Sequence, residues 1–257
     1  MAPTAKGAYV EPTPRRVRTV FGGLTVADSR RTLLVWAGDI RLPVYYFPLP
    51  DVRADLLSES DRRIAHPDLG NARCWHLEVG GRSAADAAWS FDETEPGAEA
   101  VRGHLAFNWG EMDAWFEEDD EVFVHPRDPY HRVDVLNSSR HVRVELNGVT
   151  VAESRRPRLL FETGLPPRYY LPKADLRMDL LEPTQSHTAC PYKGTASYWT
   201  VRHDGVEWPD IAWSYPSPIP ECPKIEDLIA FYNEHVDLIV DGELQERPQT
   251  PWSRRSG

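Results

Sequence analysis

The sequence predicts a mainly β protein in which one domain of roughly 100 residues is written twice in tandem. Three observations predict it: a long internal repeat, runs of alternating apolar and polar residues flanking Asn-Gly or Gly-Gly, and 23 prolines in 257 residues. Proline interrupts helices and sheet interiors alike, so a chain this rich in it is assembled from short elements and many turns.

The repeat is read directly. Gly23–Arg31 matches Gly148–Arg156 at an offset of 125, with seven of nine positions identical. One residue is then dropped, and the offset stays at 124. Pro43–Pro48 aligns with Pro167–Pro172, Asp51–Leu57 with Asp175–Leu181, Ala88–Phe91 with Ala212–Tyr215, and Ala106-Phe107 with Ala230-Phe231. A constant offset over this distance means that the copies share one fold. The boundaries expected are 15–124 for the first copy and 141–244 for the second. Residues 1–14 and 245–257, rich in Pro, Arg and Ser, are expected to be disordered tails. The connector 125–140 contains His125-Pro-Arg-Asp-Pro-Tyr-His-Arg132, too rich in His, Arg and Tyr for a passive spacer, and is expected to be ordered.

Each copy opens with a hairpin. Val142, Val144 and Leu146 alternate with polar residues up to Asn147-Gly148, and Val149 and Val151 resume the alternation, the strongest short-range hairpin signal. Gly22-Gly23 stands at the same turn in the first copy. Ser197–Arg202 reads as a strand turning at Asp204-Gly205 into Val206–Trp208. Ile225, Leu228, Ile229 and Tyr232 fall at helical spacing after Pro223, which predicts one short amphipathic helix per copy. Val236–Val240 closes the copy as a strand.

Bulk composition excludes several roles. A formal net charge of −11 argues against nucleic acid as a partner, because the phosphate backbone is itself a polyanion. The run Glu117–Glu121 reads as a solvated turn. Cys74, Cys190 and Cys222 are odd in number and far apart, so no disulfide framework is expected and the cytoplasm is the expected location. No apolar run is long enough to span a membrane, and no signal-peptide core is seen at the N-terminus.

Two copies in one chain permit an internal comparison. Tyr45/Tyr169, Tyr46/Tyr170, Arg53/Arg177, Asp55/Asp179, Trp75/Trp199, Asp86/Asp210 and Trp89/Trp213 are identical pairs, most simply explained by the shared fold. Other polar positions survive in the second copy only. Glu162 has Ala37 as its counterpart, Arg168 has Val44, Lys193 has Leu69, Cys190 has His66, Tyr192 has Asp68 and Tyr198 has Cys74. A carboxylate for proton transfer, two cations for an anionic group and a thiol make a plausible constellation. In Cys190-Pro-Tyr-Lys-Gly-Thr195 the ammonium three residues from the thiol would favour the thiolate. His187 and Cys190 offer two metal ligands where a site needs three or four, so no metal is expected.

Glu162-Thr-Gly-Leu-Pro-Pro-Arg-Tyr-Tyr-Leu-Pro172, Cys190-Pro-Tyr-Lys-Gly-Thr-Ala-Ser-Tyr198 and Asp210-Ile-Ala-Trp-Ser-Tyr-Pro216 resemble the DUF427 family, in its tandem form, over about residues 15–243. The second copy carries the motif whole, whereas the first keeps only His66-Pro67 and Gly70 of it. The resemblance implies a β-tent, or Mss4-like, domain of two antiparallel sheets with a pocket between them. Zinc knuckles of paired CxxC, found in other groups of that fold, have no counterpart here, so zinc is expected to be absent and the cofactor is unknown. The nucleotidyltransferase-like label sometimes attached to the family finds no support in a Gly-rich phosphate loop or paired acidic metal ligands.

The leading expectation is therefore a small-molecule pocket in the second copy, with catalysis within its reach. Glu162 would be the base or anchor, Lys193 and Arg168 the anion clamp, and Cys190 the nucleophile. Tyr169, Tyr192, Tyr198, Trp213 and Tyr215 would wall the ligand, with Arg177 beside them. The competing readings are a non-enzymatic scaffold module and a homo-oligomer formed through the degenerate first copy.

Overall fold

The computed structural model describes residues 7–38 and 42–254. They fall into two compact units divided between Tyr130 and His131. The N-terminal unit contains β1 (Tyr9–Pro12), β2 (Val17–Phe21), β3 (Leu24–Ser29), β4 (Leu33–Trp36), β5 (Val44–Pro48), β6 (Leu57–His66), β7 (Gly70–Val79), β8 (Arg82–Glu93), β9 (His104–Phe107), β10 (Ala114–Glu117) and β11 (Asp120–Glu121). One antiparallel sheet runs β1-β4-β5-β9-β8-β7-β6, and a smaller one β11-β10-β2-β3. In β2 the odd positions Val17, Thr19 and Phe21 are buried and the even ones half-exposed, the period of two that a one-sided strand imposes. Gly22 and Gly23 both hold positive φ, 59° and 74°, which the tight β2–β3 turn requires.

The C-terminal unit repeats this plan with β12 (Val133–Asn137), β13 (Val142–Leu146), β14 (Val149–Ser154), β15 (Arg158–Glu162), β16 (Arg168–Tyr170), β17 (Leu181–Cys190), β18 (Gly194–His203), β19 (Val206–Ser214), β20 (Ile229–Phe231), β21 (Asp237–Val240) and β22 (Glu243–Leu244). Its sheets are β12-β15-β16, β17-β18-β19-β20 and β14-β13-β21-β22. An isolated bridge between Leu171 and Ile229 links the first two, so their strands follow the order of the large N-terminal sheet. Even the irregularities coincide. The bulge at Thr19/Val20 recurs at Val144/Glu145, and the shift between Glu59 and Arg63 recurs between Pro183 and His187.

Three expectations are corrected. No amphipathic helix forms: among the described residues every helical segment is a 3₁₀ turn of three or four residues. Pro223–Ile225 is such a turn, and Ile229–Phe231 is a strand whose three residues are all buried. A strand covered on both faces reads as a continuous apolar run, and here that run imitates helical spacing. The flanking segments are also built in rather than frayed. Tyr9–Pro12 pairs with β4, and Pro251–Arg254 makes a last 3₁₀ turn; residues 1–6 and 255–257 lie outside the described part. Finally, the acidic run is not wholly solvated. Glu117 is buried and accepts from Tyr45 Oη and Arg15, while Asp119 beside it is exposed.

The connector divides at the unit boundary. Tyr130 belongs to the N-terminal unit, where its hydroxyl donates to Glu11 at 2.6 Å. From His131 onward the chain joins the C-terminal unit, and β12 pairs with β15 in the register that β1 has with β4. Both arginine–aspartate pairs two residues apart, Arg53–Asp55 and Arg177–Asp179, form two-pronged ion pairs at 2.6–2.8 Å. No helix of the described residues is long and apolar enough to cross a membrane.

Candidate functional site

The geometry starts at two chain features. Glu162 is the last residue of β15. Lys193 sits in the turn between β17 and β18, which is tied at its start by Lys193 N–H donating to Cys190 O and at its end by Ile219 N–H donating to Lys193 O. Gly194 completes the turn at φ 103°, where a Cβ would come within 3.2 Å of the Ser217 carbonyl oxygen. The turn aims Lys193 Nζ at both oxygens of Glu162, at 2.6 Å each. His131 donates from Nε2 to Glu162 Oε1 at 3.0 Å, and its ring stacks on Tyr192 with centroids 4.1 Å apart. The side chains of Glu162 and Lys193 are only 8% and 9% exposed.

Burial by itself pushes the Glu162 carboxyl upward. The hydrogen bond from His131 and the charge and hydrogen bond of Lys193 outweigh it and hold the carboxyl below its ordinary value. Glu162 is thus an anion inside the protein, neutralised at close range. With Nε2–H committed to Glu162, a neutral His131 ring presents Nδ1 as a base.

Several buried polar groups feel this charge pair. Burial first, then the neighbouring Tyr170, Cys190, Tyr198 and Glu162, pushes the Tyr215 hydroxyl well above its ordinary value. Burial likewise pushes the Cys222 thiol up to about 11, against the pull of Lys193. Cys190 is half-buried, whereas Cys222 is buried. Tyr198 shares a hydrogen bond of 2.7 Å with Thr188, and Trp213 donates to Tyr170 Oη at 3.0 Å. Glu162 and Lys193 are therefore brought together, Cys190 begins the turn that carries Lys193 and packs on the core cluster of Tyr198, Trp213 and Tyr215, and Tyr192 stacks on His131.

Arg168 is not a partner of Lys193 in one anion clamp, which corrects the expectation. Its guanidinium makes a two-pronged pair with Glu234 at 2.7 Å, and it lies over the rings of Trp213, Tyr232 and Trp252 at 5.4–5.8 Å. Burial pushes the Glu234 carboxyl up, but Arg168 and Thr250 bring it below its ordinary value. Each cation thus has its own buried carboxylate. Two further residues stand apart. Arg177 is exposed and committed to Asp179. Tyr169, on the opposite face of β16 from Arg168 and Tyr170, is half-buried and feels Arg140 and Asp241. Among the described residues no group of three or more His, Cys, Asp and Glu side chains is placed to hold a metal ion.

The domain-of-unknown-function family DUF427 matches twice, over residues 9–118 and 134–242. The chain belongs to the DUF427 family. Both matches begin at the outer strand rather than at the hairpin, in agreement with β1 and β12 being integral to each DUF427 unit. No curated protein matches the chain. His131 lies just before the second DUF427 match and escaped the comparison of copies, because the aligned repeat began after it. Glu234 stands opposite Gly110, so the same comparison, carried three residues past Phe231, would have found it.

Proposed function

We propose that the C-terminal unit is a small-molecule site centred on Glu162, Lys193 and His131, with Cys190 at its flank. The observation that carries this reading is a buried ion pair that the fold does without elsewhere. At the equivalent positions the N-terminal unit has Ala37 and Leu69 and builds the same strands in the same order. Burying charges costs several kcal/mol per ion, and replacing a buried pair with apolar residues is often neutral or stabilising. A cluster that is costly and dispensable for folding is retained for what it contacts.

The chemistry within reach is recognition of a polar molecule through one acceptor atom for the Lys193 ammonium and one donor for the Glu162 carboxylate. Proton transfer through His131 Nδ1 is compatible with that pose. The test is a metabolite screen by thermal shift on wild type and on the double variant Glu162→Ala/Lys193→Leu, which restores the apolar pair of the N-terminal unit. A ligand at 100 times its dissociation constant stabilises by about 2.7 kcal/mol. The wild type is expected to gain that stabilisation and the double variant to lose it. An equal gain in both proteins would assign the ligand to another place.

A further inference from the structure

The N-terminal unit is not merely a copy that lost its charges. At the equivalent place it holds a cavity of about 220 Å³, whose walls include Ala37, Val44 and Leu69, the counterparts of Glu162, Arg168 and Lys193. Tyr46, Trp89 and Phe91, also in its wall, are the counterparts of Tyr170, Trp213 and Tyr215. The aromatic frame is therefore shared, and the three long charged side chains are replaced by shorter apolar ones.

Position in the sheet explains why this hollow is separate from the main core. Leu34 and Tyr45 belong to the large apolar cluster, whereas their neighbours Val35 and Tyr46 belong to a second, smaller cluster with Leu69 and Phe91. Successive strand residues point to opposite faces, so the smaller cluster and its cavity lie on the far side of the sheet. Leu42, 40% exposed, stands at the edge.

Among the described residues no carboxylate or ammonium lines the cavity, and two polar features of its wall are specific. Tyr46, 2% exposed, accepts a hydrogen bond from Trp89 Nε1 at 2.9 Å, and its own hydroxyl hydrogen meets no acceptor among the described residues. Burial pushes this phenol up to about 12, so it remains a neutral donor. His66 Nδ1 accepts from Asp68 N–H at 3.2 Å, which places the proton of a neutral ring on Nε2. The hollow is open on the side of Leu42, and its apolar walls are removed from water when an apolar molecule enters.

We propose that the N-terminal unit binds a small uncharged hydrophobic molecule bearing one hydrogen-bond acceptor, which the Tyr46 hydroxyl receives. An apolar cavity of about 150 Å³ accommodates benzene, so this one suits an aromatic ring with a short ketone, aldehyde or ester substituent. The site is distinct from the charged cluster of the other unit in both place and ligand class.

The experiment is titration calorimetry of the full chain with acetophenone, with ethylbenzene as its twin lacking the acceptor, and with benzoate as its charged relative. Wild type is expected to bind acetophenone most tightly. Tyr46→Phe should weaken acetophenone about fivefold and leave ethylbenzene within about twofold, the loss expected for one neutral hydrogen bond. Ala37→Phe, which fills the cavity, should abolish both, and Val44→Phe serves as a second plug if the first lowers the melting temperature sharply. Failure of wild type to bind either neutral probe, undiminished binding in the folded plugged variants, or benzoate binding as tight as acetophenone would each overturn the proposal. So would a change in molar mass by light scattering in the plugged variants without probe binding to wild type, which would make the cavity a seat for another copy of the chain.

Discussion

Where the C-terminal unit buries Glu162 against Lys193, the N-terminal unit has Ala37 and Leu69 facing a cavity, yet the strand order, the hairpin turns and three of the bulges are the same. Two experiments in one chain thus separate what the architecture demands from what it merely carries. Shared features include the Trp–Tyr pairs Trp89–Tyr46 and Trp213–Tyr170, the Arg–Asp pairs, and the glycines at the turns before β7 and β18. Unshared are the buried charges of one unit and the apolar hollow of the other.

The sharpest way to break the comparison is to remove one partner only. Lys193→Ala leaves Glu162 buried with His131 alone and is expected to destabilise the C-terminal unit by about 4 kcal/mol, read by urea unfolding. The double variant Glu162→Ala/Lys193→Leu should recover most of that loss, since its residues are those the N-terminal unit tolerates. Next in size, Arg168→Val imports the residue of the other copy but strands the buried Glu234 carboxylate without a cation, at a cost of about 3 kcal/mol in the same assay.

Smaller effects sharpen it. Gly70 and Gly194 hold the same turn at φ 104° and 103°, but a Cβ on Gly70 would come within 2.6 Å of the Glu93 carbonyl, against 3.2 Å to Ser217 for Gly194. Gly70→Ala should therefore cost about 2.5 kcal/mol and Gly194→Ala about 1.5 kcal/mol by urea unfolding. Acid provides a further contrast. Glu162 has a folded value below its ordinary 4.5, so the stability it contributes is present above pH 4.5 and drains away as pH falls through the lowered value. The stability of wild type relative to the double variant should accordingly fall in acid, and an unchanged difference from pH 7 to pH 3 would contradict the pairing. Last, a limiting dose of iodoacetamide should label half-buried Cys190 ahead of buried Cys74 and Cys222, as peptide mapping would reveal.

The doubled β plan was legible because turns and repeats are written locally: Asn147-Gly148 and Gly22-Gly23 announce hairpins in any context. Lys193 and Glu162 were legible through their apolar counterparts. Their true partners were harder to read. Charge alone pairs Arg168 with Lys193, whereas backbone position gives it to Glu234, a residue contributed by the turn after β20. The missing helix has the same lesson. Ile225, Leu228, Ile229 and Tyr232 fit a helical stripe, but the counterparts Val101, His104, Leu105 and Asn108 do not, and a shared fold must satisfy both.

The chain beyond β22 is more than an appendage. Thr250 donates to Glu234, and Trp252 lies over Arg168. A protease that trims the protein after Leu244 would leave every strand in place and still uncork its most deeply seated ion pair, letting solvent reach charges that the intact tail keeps dry.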